Sequence, residues 1–465
     1  MDTERGWTPK LERAGRPVYQ AIADAIADDI RDGTLESGAK LPPLRVLAER
    51  LGLDFTTVSR AYGEAQRRGL IVGKVGQGTF VQAREESPPR PETSPSASID
   101  MTMNAPPMPA DPLLMARMRQ EMAELASSLE DRRLLSYGDN AGSHEDRAAG
   151  VQWLADRLPG LSPDRVNVCP GAQGALLALV TSFARPDDTI LCEELTYPGM
   201  KSLAAHLGVQ LAGVAMDAQG LLPDAFRAAC GRHAPKALYC NPTLHNPTTA
   251  TLTAERRSEI VDIARQHGVV IIEDDAYGML PEDGPPALAA IGPDVVYHIA
   301  GLAKCVSPSL RIAFLVAPDR RQAVRMTGAL RASMLAASPI AAAVATRWIG
   351  SGLARNVLSG IRAEAVRRQH IAREVLPAGS FVGAPEAFHV WLTLPEDWSR
   401  AEFTGELRAR RLLVAASDAF SVAPLAPEAV RLCLGPLTGE AETRRVLALV
   451  ADLLGQPPAM AQSVV

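Results

Sequence analysis

Apolar residues recur every fourth position in the stretch PVYQAIADAIADDIRDG, where Val18, Ile22, Ile26 and Ile30 fall on one helical face that ends near Gly33. Two more helical stretches follow, LPPLRVLAERLG and DFTTVSRAYGEAQRRG, with Gly52 in the turn between them. LIVGKVGQGTFVQ then sets two short β-type runs around a Gly-rich tip. Three helices followed by a β-hairpin is the plan of a winged helix-turn-helix, in which the third helix enters the major groove of DNA.

Between Arg84 and Asp111 the periodicity disappears, in REESPPRPETSPSAS and then NAPPMPAD. Pro, Ser and Glu with little to bury make an extended connector between two domains more than a surface loop of one. Beyond it, short β-rich runs (RVNVC, TILCE, KALYC, VVIIE, VVYHI) alternate with helical segments. That alternation is the pattern of βαβ units with a mostly parallel sheet, and such sheets hold ligands at the carboxyl ends of their strands. The expected division is a DNA-binding domain over 1–83, a connector over 84–110 and a large α/β domain over 111–465.

Composition adds limits. A chain of 465 residues with 47% hydrophobic content is long enough for a large core and a smaller domain. No apolar stretch is long enough to span a membrane, and LAASPIAAAVATRW is cut by Ser338 and Pro339. The N-terminus lacks a basic-then-apolar signal pattern. The six cysteines form no C-x-x-C pair, which suggests neither a metal cluster nor a disulfide framework. A soluble, reduced, cytoplasmic protein is expected. The net charge of −5 gives no global attraction to nucleic acid. Residues 1–83 carry twelve Lys and Arg against eleven Asp and Glu, a net of +1, so contact with DNA must be local.

The candidate chemistry gathers at the strand ends. CPGAQGALLALV follows a strand and opens a helix whose free N–H groups suit a phosphate. NPTLHNPTT offers the amide of Asn246, IIEDDAYG two carboxylates and a tyrosine, and AGLAKCVSPSLRIAF sets Lys304 seven positions before Arg311. A lysine amine condenses with an aldehyde, a buried carboxylate keeps a pyridine nitrogen protonated, and an arginine with a helix N-terminus grips a phosphate. Pyridoxal phosphate carries all three groups.

Two resemblances sharpen this. Residues 17–82, through LPPLRVLAERLGLDFTTVSRAY and the wing GQGTFV, resemble the DNA-binding domain of GntR-type regulators. The resemblance implies that Arg45, Thr56, Thr57, Ser59 and Arg60 face double-stranded DNA, with Lys74, Gln77 and Gly78 near the wing. Phe55 stands where many relatives have a basic or polar residue. Residues 111–455 resemble the fold-type I, pyridoxal-phosphate-dependent aminotransferases, which implies a mostly parallel sheet and a smaller C-terminal α+β subdomain. By that resemblance Lys304 would form the internal aldimine, Arg311 would hold the phosphate, and Ala172 and Gln173 would offer it backbone groups. Asp274 would pair with the pyridine nitrogen, Tyr277 and Asn246 would bond the ring oxygen, and Tyr197 would stack on the ring. Tyr137 would reach the phosphate of a neighbouring subunit, implying a homodimer, and Arg431 would take an amino acid's carboxylate. Bland alternatives remain for several: a helix cap for Asp274, a turn for Asn246, core packing for Tyr197 and Tyr137, a strand-edge charge for Arg431. Gly301 and Ala303 replace the usual hydroxyl residues, and Thr249 replaces the glycine of NPTG.

Both halves together resemble the MocR subfamily of GntR regulators over nearly the whole chain. This implies a transcription factor that senses an amino acid, an amine or pyridoxal phosphate itself. The alternatives are a working aminotransferase with an accessory DNA-binding head, or a scaffold that dimerises without cofactor.

Overall fold

The structure, a computed structural model, describes residues 7–9, 17–36, 38–68, 70–74, 78–81, 98–129, 135 and 137–458. It divides into two compact units, Met1–Ala97 and Ser98–Val465.

In the first unit, α1 (Val18–Arg31), α2 (Leu44–Leu51) and α3 (Phe55–Arg67) precede an antiparallel hairpin of β1 (Ile71–Lys74) and β2 (Gly78–Val81). The four-residue spacing buries Ile22 and Ile26, with Val18 and Ile30 partly covered around them. Gly52 ends α2 in the left-handed region at φ +62°, and its N–H closes onto the carbonyls of Ala48 and Glu49. Asp54 then caps α3 by accepting from the Thr56 N–H at 2.7 Å. The expected three helices and the paired strands of the wing are therefore present, with Gly52 and Asp54 setting the turn between α2 and α3.

The second unit begins with β3 (Ile99–Asp100). Its seven-stranded sheet contains β4 (Val166–Cys169), β5 (Thr189–Glu193) and β6 (Gln210–Val214). After a two-residue hairpin, β7 (Met216–Asp217) and β8 (Gly220–Leu221), come β9 (Ala237–Cys240), β10 (Val270–Asp274), β11 (Val296–Gly301) and β12 (Ala313–Val316). The order is β4-β12-β11-β10-β9-β5-β6, parallel throughout except for β12, which runs antiparallel to both neighbours. The five anticipated strands are all here. The edge strand β6 and β12, second from the opposite edge, are additions to that expectation: the connection from β11 to β12 holds only the 3-10 turn Pro308–Leu310 and is too short for a crossover helix, so the chain returns antiparallel.

A smaller antiparallel sheet follows, of β13 (Phe381–Val382), β14 (His389–Thr393), β16 (Ala415–Ala416) and β17 (Ala429–Cys433) in the order β13-β14-β17-β16. Helices Leu353–Val375, Arg400–Ala409 and Gly439–Leu454 contribute to its core, which gives the expected α+β subdomain. The connector expectation needs correction at its C-terminal end. β3 pairs in parallel with β15 (Leu412–Leu413), and the N–H groups of Ile99 and Met101 donate to the carbonyls of Arg411 and Leu413, each at 2.8 Å. Met101 is wholly buried. Alternation of Ile99 and Met101 with polar neighbours builds this strand inside a stretch whose prolines and serines mask it. Residues 98–110 therefore belong to the large unit, and 84–97 lie outside the described residues. Among the described residues no helix is long and apolar enough to cross a membrane.

Candidate functional site

The carboxyl ends of β5, β9, β10 and β11 deliver Glu193, Asn241, Asp274 and, three residues past Gly301, Lys304. Asp274 is buried; one of its oxygens accepts from the Tyr239 hydroxyl at 2.9 Å, and the other, Oδ1, has no partner. Burial pushes its carboxyl up to about 6, against the pull of the Tyr239 hydrogen bond. A buried carboxylate with one open oxygen suits a protonated pyridine nitrogen, and the helix-cap alternative for Asp274 has no support in these bonds. Its neighbour Asp275 behaves differently. Burial alone would raise it, but Arg157, at 2.7 Å, with His298 and Arg257 holds it below the usual carboxylate range.

Lys304 is drawn into a buried, branched network of hydrogen bonds. Its Nζ donates to the carbonyl of Asn104, and the Asn104 amide donates to the Tyr277 hydroxyl at 2.9 Å. The same amide lies 3.1 Å from Nδ1 of His389, whose Nε2 faces the His245 carbonyl at 3.2 Å. Burial lowers His389 to about 3, so the ring is neutral; Nε2 carries its proton and Nδ1 accepts. Both amide protons of Asn104 are thus engaged, which leaves the Tyr277 proton free to be donated elsewhere. On the other side, Arg431 donates to the Asn246 side chain at 2.6 Å and to the carbonyl of Thr102. The Asn246 N–H donates to Asn241 Oδ1 at 2.9 Å, and Asn241 Nδ2 donates to the Asp274 carbonyl at 2.5 Å. Lys304, Tyr277, Asp274, Asn246 and Arg431 are therefore brought together. Burial lowers the Lys304 amine to about 8.

Helix Gly171–Phe183 starts beside Arg311; its first turn holds Ala172 and Gln173, and its N-cap, Pro170, offers no side-chain hydrogen bond. Gly171 is left-handed at φ +75°, and a Cβ there would lie 3.8 Å from the Arg311 guanidinium. Arg311 itself adopts φ +51°, which turns the chain between β11 and β12. Free N–H groups beside an arginine make an anion cradle. Tyr197 caps the next helix, Pro198–Leu207, and its ring lies over Gly199, where a Cβ would come within 2.3 Å of it. Burial raises its hydroxyl pKa, with Asp274 adding to the effect. Tyr137, by contrast, is 84% exposed. At the position of Gly301 a Cβ would meet only Ala172, at 3.6 Å, so the missing hydroxyl leaves open room.

Sequence reasoning missed Asn104, Thr102, Asn241, Tyr239 and Glu193. Asn241 opens the NPTLHNPTT stretch itself, and Tyr239 sits in KALYC; both were within reach. Glu193 accepts from the Asn241 N–H at 2.9 Å, and burial pushes it up to about 8.

In the first unit, Arg45, Thr56 and Arg60 are exposed, and Thr57 and Ser59 are half-buried on α3. The Thr56 hydroxyl bonds Asp54, and the Arg60 guanidinium stacks 5.0 Å from the Tyr19 ring. Phe55 is 45% exposed. Lys74 pairs in register with Gly78 at the wing, Gly78 at φ +114°; Gln77 lies outside the described residues.

Comparison with known proteins agrees with this geometry. Residues 18–81 match the family of bacterial regulatory proteins, gntR family, and residues 97–450 match aminotransferase class I and II. The HTH-type transcriptional regulator YdeF of Bacillus subtilis is 32% identical, with 92% of each chain covered. The vitamin B6 salvage pathway transcriptional repressor PtsJ of Salmonella typhimurium is 25% identical over 86% of this chain and 90% of its own. Among solved structures, Pyrococcus horikoshii kynurenine aminotransferase superimposes with a TM-score of 0.70 at 21% identity, over 78% of this chain and 91% of that one. The chain belongs to the gntR family of bacterial regulators, in the branch that joins the DNA-binding domain to an aminotransferase class I and II domain, the domain order of the MocR subfamily.

Proposed function

We propose that this regulator works in the cytoplasm as a homodimer on a double-stranded operator and holds pyridoxal phosphate at Lys304 to sense a small molecule. The observation that carries the reading is Asp274: a buried carboxylate with one open oxygen, whose backbone carbonyl is linked through Asn241 and Asn246 to Arg431. The cofactor, when bound, supplies an aldehyde that condenses with an amine. The residues supply the rest. Arg311 and the first turn of Gly171–Phe183, with Ala172 and Gln173, bind the phosphate. Asp274 keeps the proton on the pyridine nitrogen, Tyr277 donates to the ring oxygen with Asn246 beside it, and Tyr197 covers the ring. Tyr137, exposed here, serves the phosphate of the neighbouring subunit. Arg431 offers its guanidinium to the carboxylate of an amino-acid effector.

A second version is favoured by the bare positions Gly301 and Ala303: a cradle without hydroxyls binds the cofactor loosely enough for its concentration to be the signal. The name of the relative PtsJ, a repressor of vitamin B6 salvage, supports that version.

The test is the visible absorption of the full-length protein with added pyridoxal phosphate, beside Lys304→Ala, before and after a panel of amino acids and amines. A lysine-dependent band that shifts with one compound is expected. No such band in the wild type would overturn the cofactor reading, and steady release of keto product would make the chain an enzyme.

A further inference from the structure

The site's free lysine and its buried arginine both bond the same short stretch of backbone. Lys304 donates to the carbonyl of Asn104, and Arg431 to that of Thr102, two residues earlier. Asn104 is only 5% exposed; its amide serves Tyr277 and His389 while its Oδ1 has no partner. On the other side this stretch is part of the smaller sheet's neighbourhood. Ile99 and Met101 pair with the strand β15, and the Met101 carbonyl accepts from the Cys433 N–H at 3.3 Å. Ala105 packs so closely on Gly435 that a Cβ there would fall 1.8 Å from its carbonyl oxygen. Asn104 thus bridges the two parts of this unit: its carbonyl and amide hold Lys304 and Tyr277 beside the large sheet, the same amide meets His389 on β14, and the residues before it pair with the small subdomain. Ser98, where the described chain resumes, is the exit to the sequence that leads to the DNA-binding unit.

We propose that Ser98–Asn104 is the transmission segment of this regulator and that Asn104 is its positioning residue, releasing the segment when Lys304 or Arg431 takes a ligand. The inference rests on the regulator reading above. The chemistry of release is simple. If the cofactor's aldehyde were to condense with the Lys304 amine, two amine protons would leave with the aldehyde oxygen as water, and Nζ would have fewer protons to offer the Asn104 carbonyl. A carboxylate at Arg431 competes with the Thr102 carbonyl for the same guanidinium nitrogen. Each event removes one of the bonds that tie the segment to the site, leaving it on the two-residue β3–β15 ladder and the Met101–Cys433 bond. Differential bonding of this kind is what a ligand needs in order to shift a conformational equilibrium.

Two measurements on the full-length protein test it. Amide hydrogen exchange, with and without pyridoxal phosphate, is expected to show faster exchange in the peptide spanning 98–106 on loading. Unchanged exchange there, with protection gained around Gly171 and Lys304, would overturn the proposal. The second is the ratio of dissociation constants for a duplex selected from random DNA, with and without pyridoxal phosphate. Couplings between sites commonly reach about 5- to 150-fold. In Asn104→Ala the ratio, read at saturating pyridoxal phosphate, is expected to fall to within about twofold of unity. Asn104→Asp, which keeps the size but cannot donate to Tyr277, serves if the alanine variant does not fold. A ratio that survives both changes sinks the assignment. A wild-type ratio of one would count against the regulator reading, and the exchange experiment would still decide the role of the segment.

Discussion

Burial sets the chemistry of the lysine. With its amine lowered to about 8, about a tenth of Lys304 is unprotonated at pH 7, against roughly one in three thousand for an ordinary lysine. Only the neutral amine attacks an aldehyde. Capture of pyridoxal phosphate by the cofactor-free protein should therefore quicken roughly tenfold per pH unit from about 6 to 8 and flatten above that. Asp274, raised to about 6, ionises at the foot of the same range and steepens the profile there. Stopped-flow absorption across pH 5.5–10 checks this; a rate still climbing at pH 10 would mean an exposed, ordinary amine. At this scale much was legible in the sequence. Lys304, Asp274, Tyr277 and Asn246 sit just beyond strand ends, where short motifs fix both residue type and direction. Asn104 was not legible, because its partner Tyr277 lies 173 positions away and only the folded chain brings them together.

Elements were readable where periodicity or a crossover announces them, and unreadable where neither does. The five strands with helical neighbours follow from alternation, whereas β12 returns without a helix and β3 hides between prolines. The turn after Asn246 shows a local cost of the same kind. Thr249, at φ +63°, holds a β-branched side chain in the left-handed region, which favours glycine. Such a conformation costs about 1–3 kcal/mol. Glycine there would relieve it and give back about 0.4–1 kcal/mol through the freer unfolded chain. Thr249→Gly is expected to stabilise the large unit by about 1 kcal/mol, raising its calorimetric transition while leaving cofactor capture unchanged. A lowered transition would show that packing of the buried threonine outweighs its backbone strain.

At the scale of the molecule, each unit has its own hydrophobic core, and the residues placed on DNA and on the cofactor share no element. The net charge of +1 over residues 1–83 makes individual basic side chains count, since no broad field assists them. Arg45 is exposed in the first turn of α2. Its replacement by alanine should weaken binding to a selected duplex at all sequences alike. The slope of log affinity against log salt should fall by about 0.9 for each phosphate that is no longer neutralised, hence about 2 for a dimer using two heads. The absorption band of bound pyridoxal phosphate should not change. Lys304→Ala should do the reverse, abolishing the band while retaining basal affinity for the same duplex and losing only its response to the cofactor. Fluorescence anisotropy over a salt series, with absorption spectra on the same samples, reads both. If either substitution removed both properties, the two units would not be separate in function, and signalling through the stretch after the connector would have to give way to a shared site.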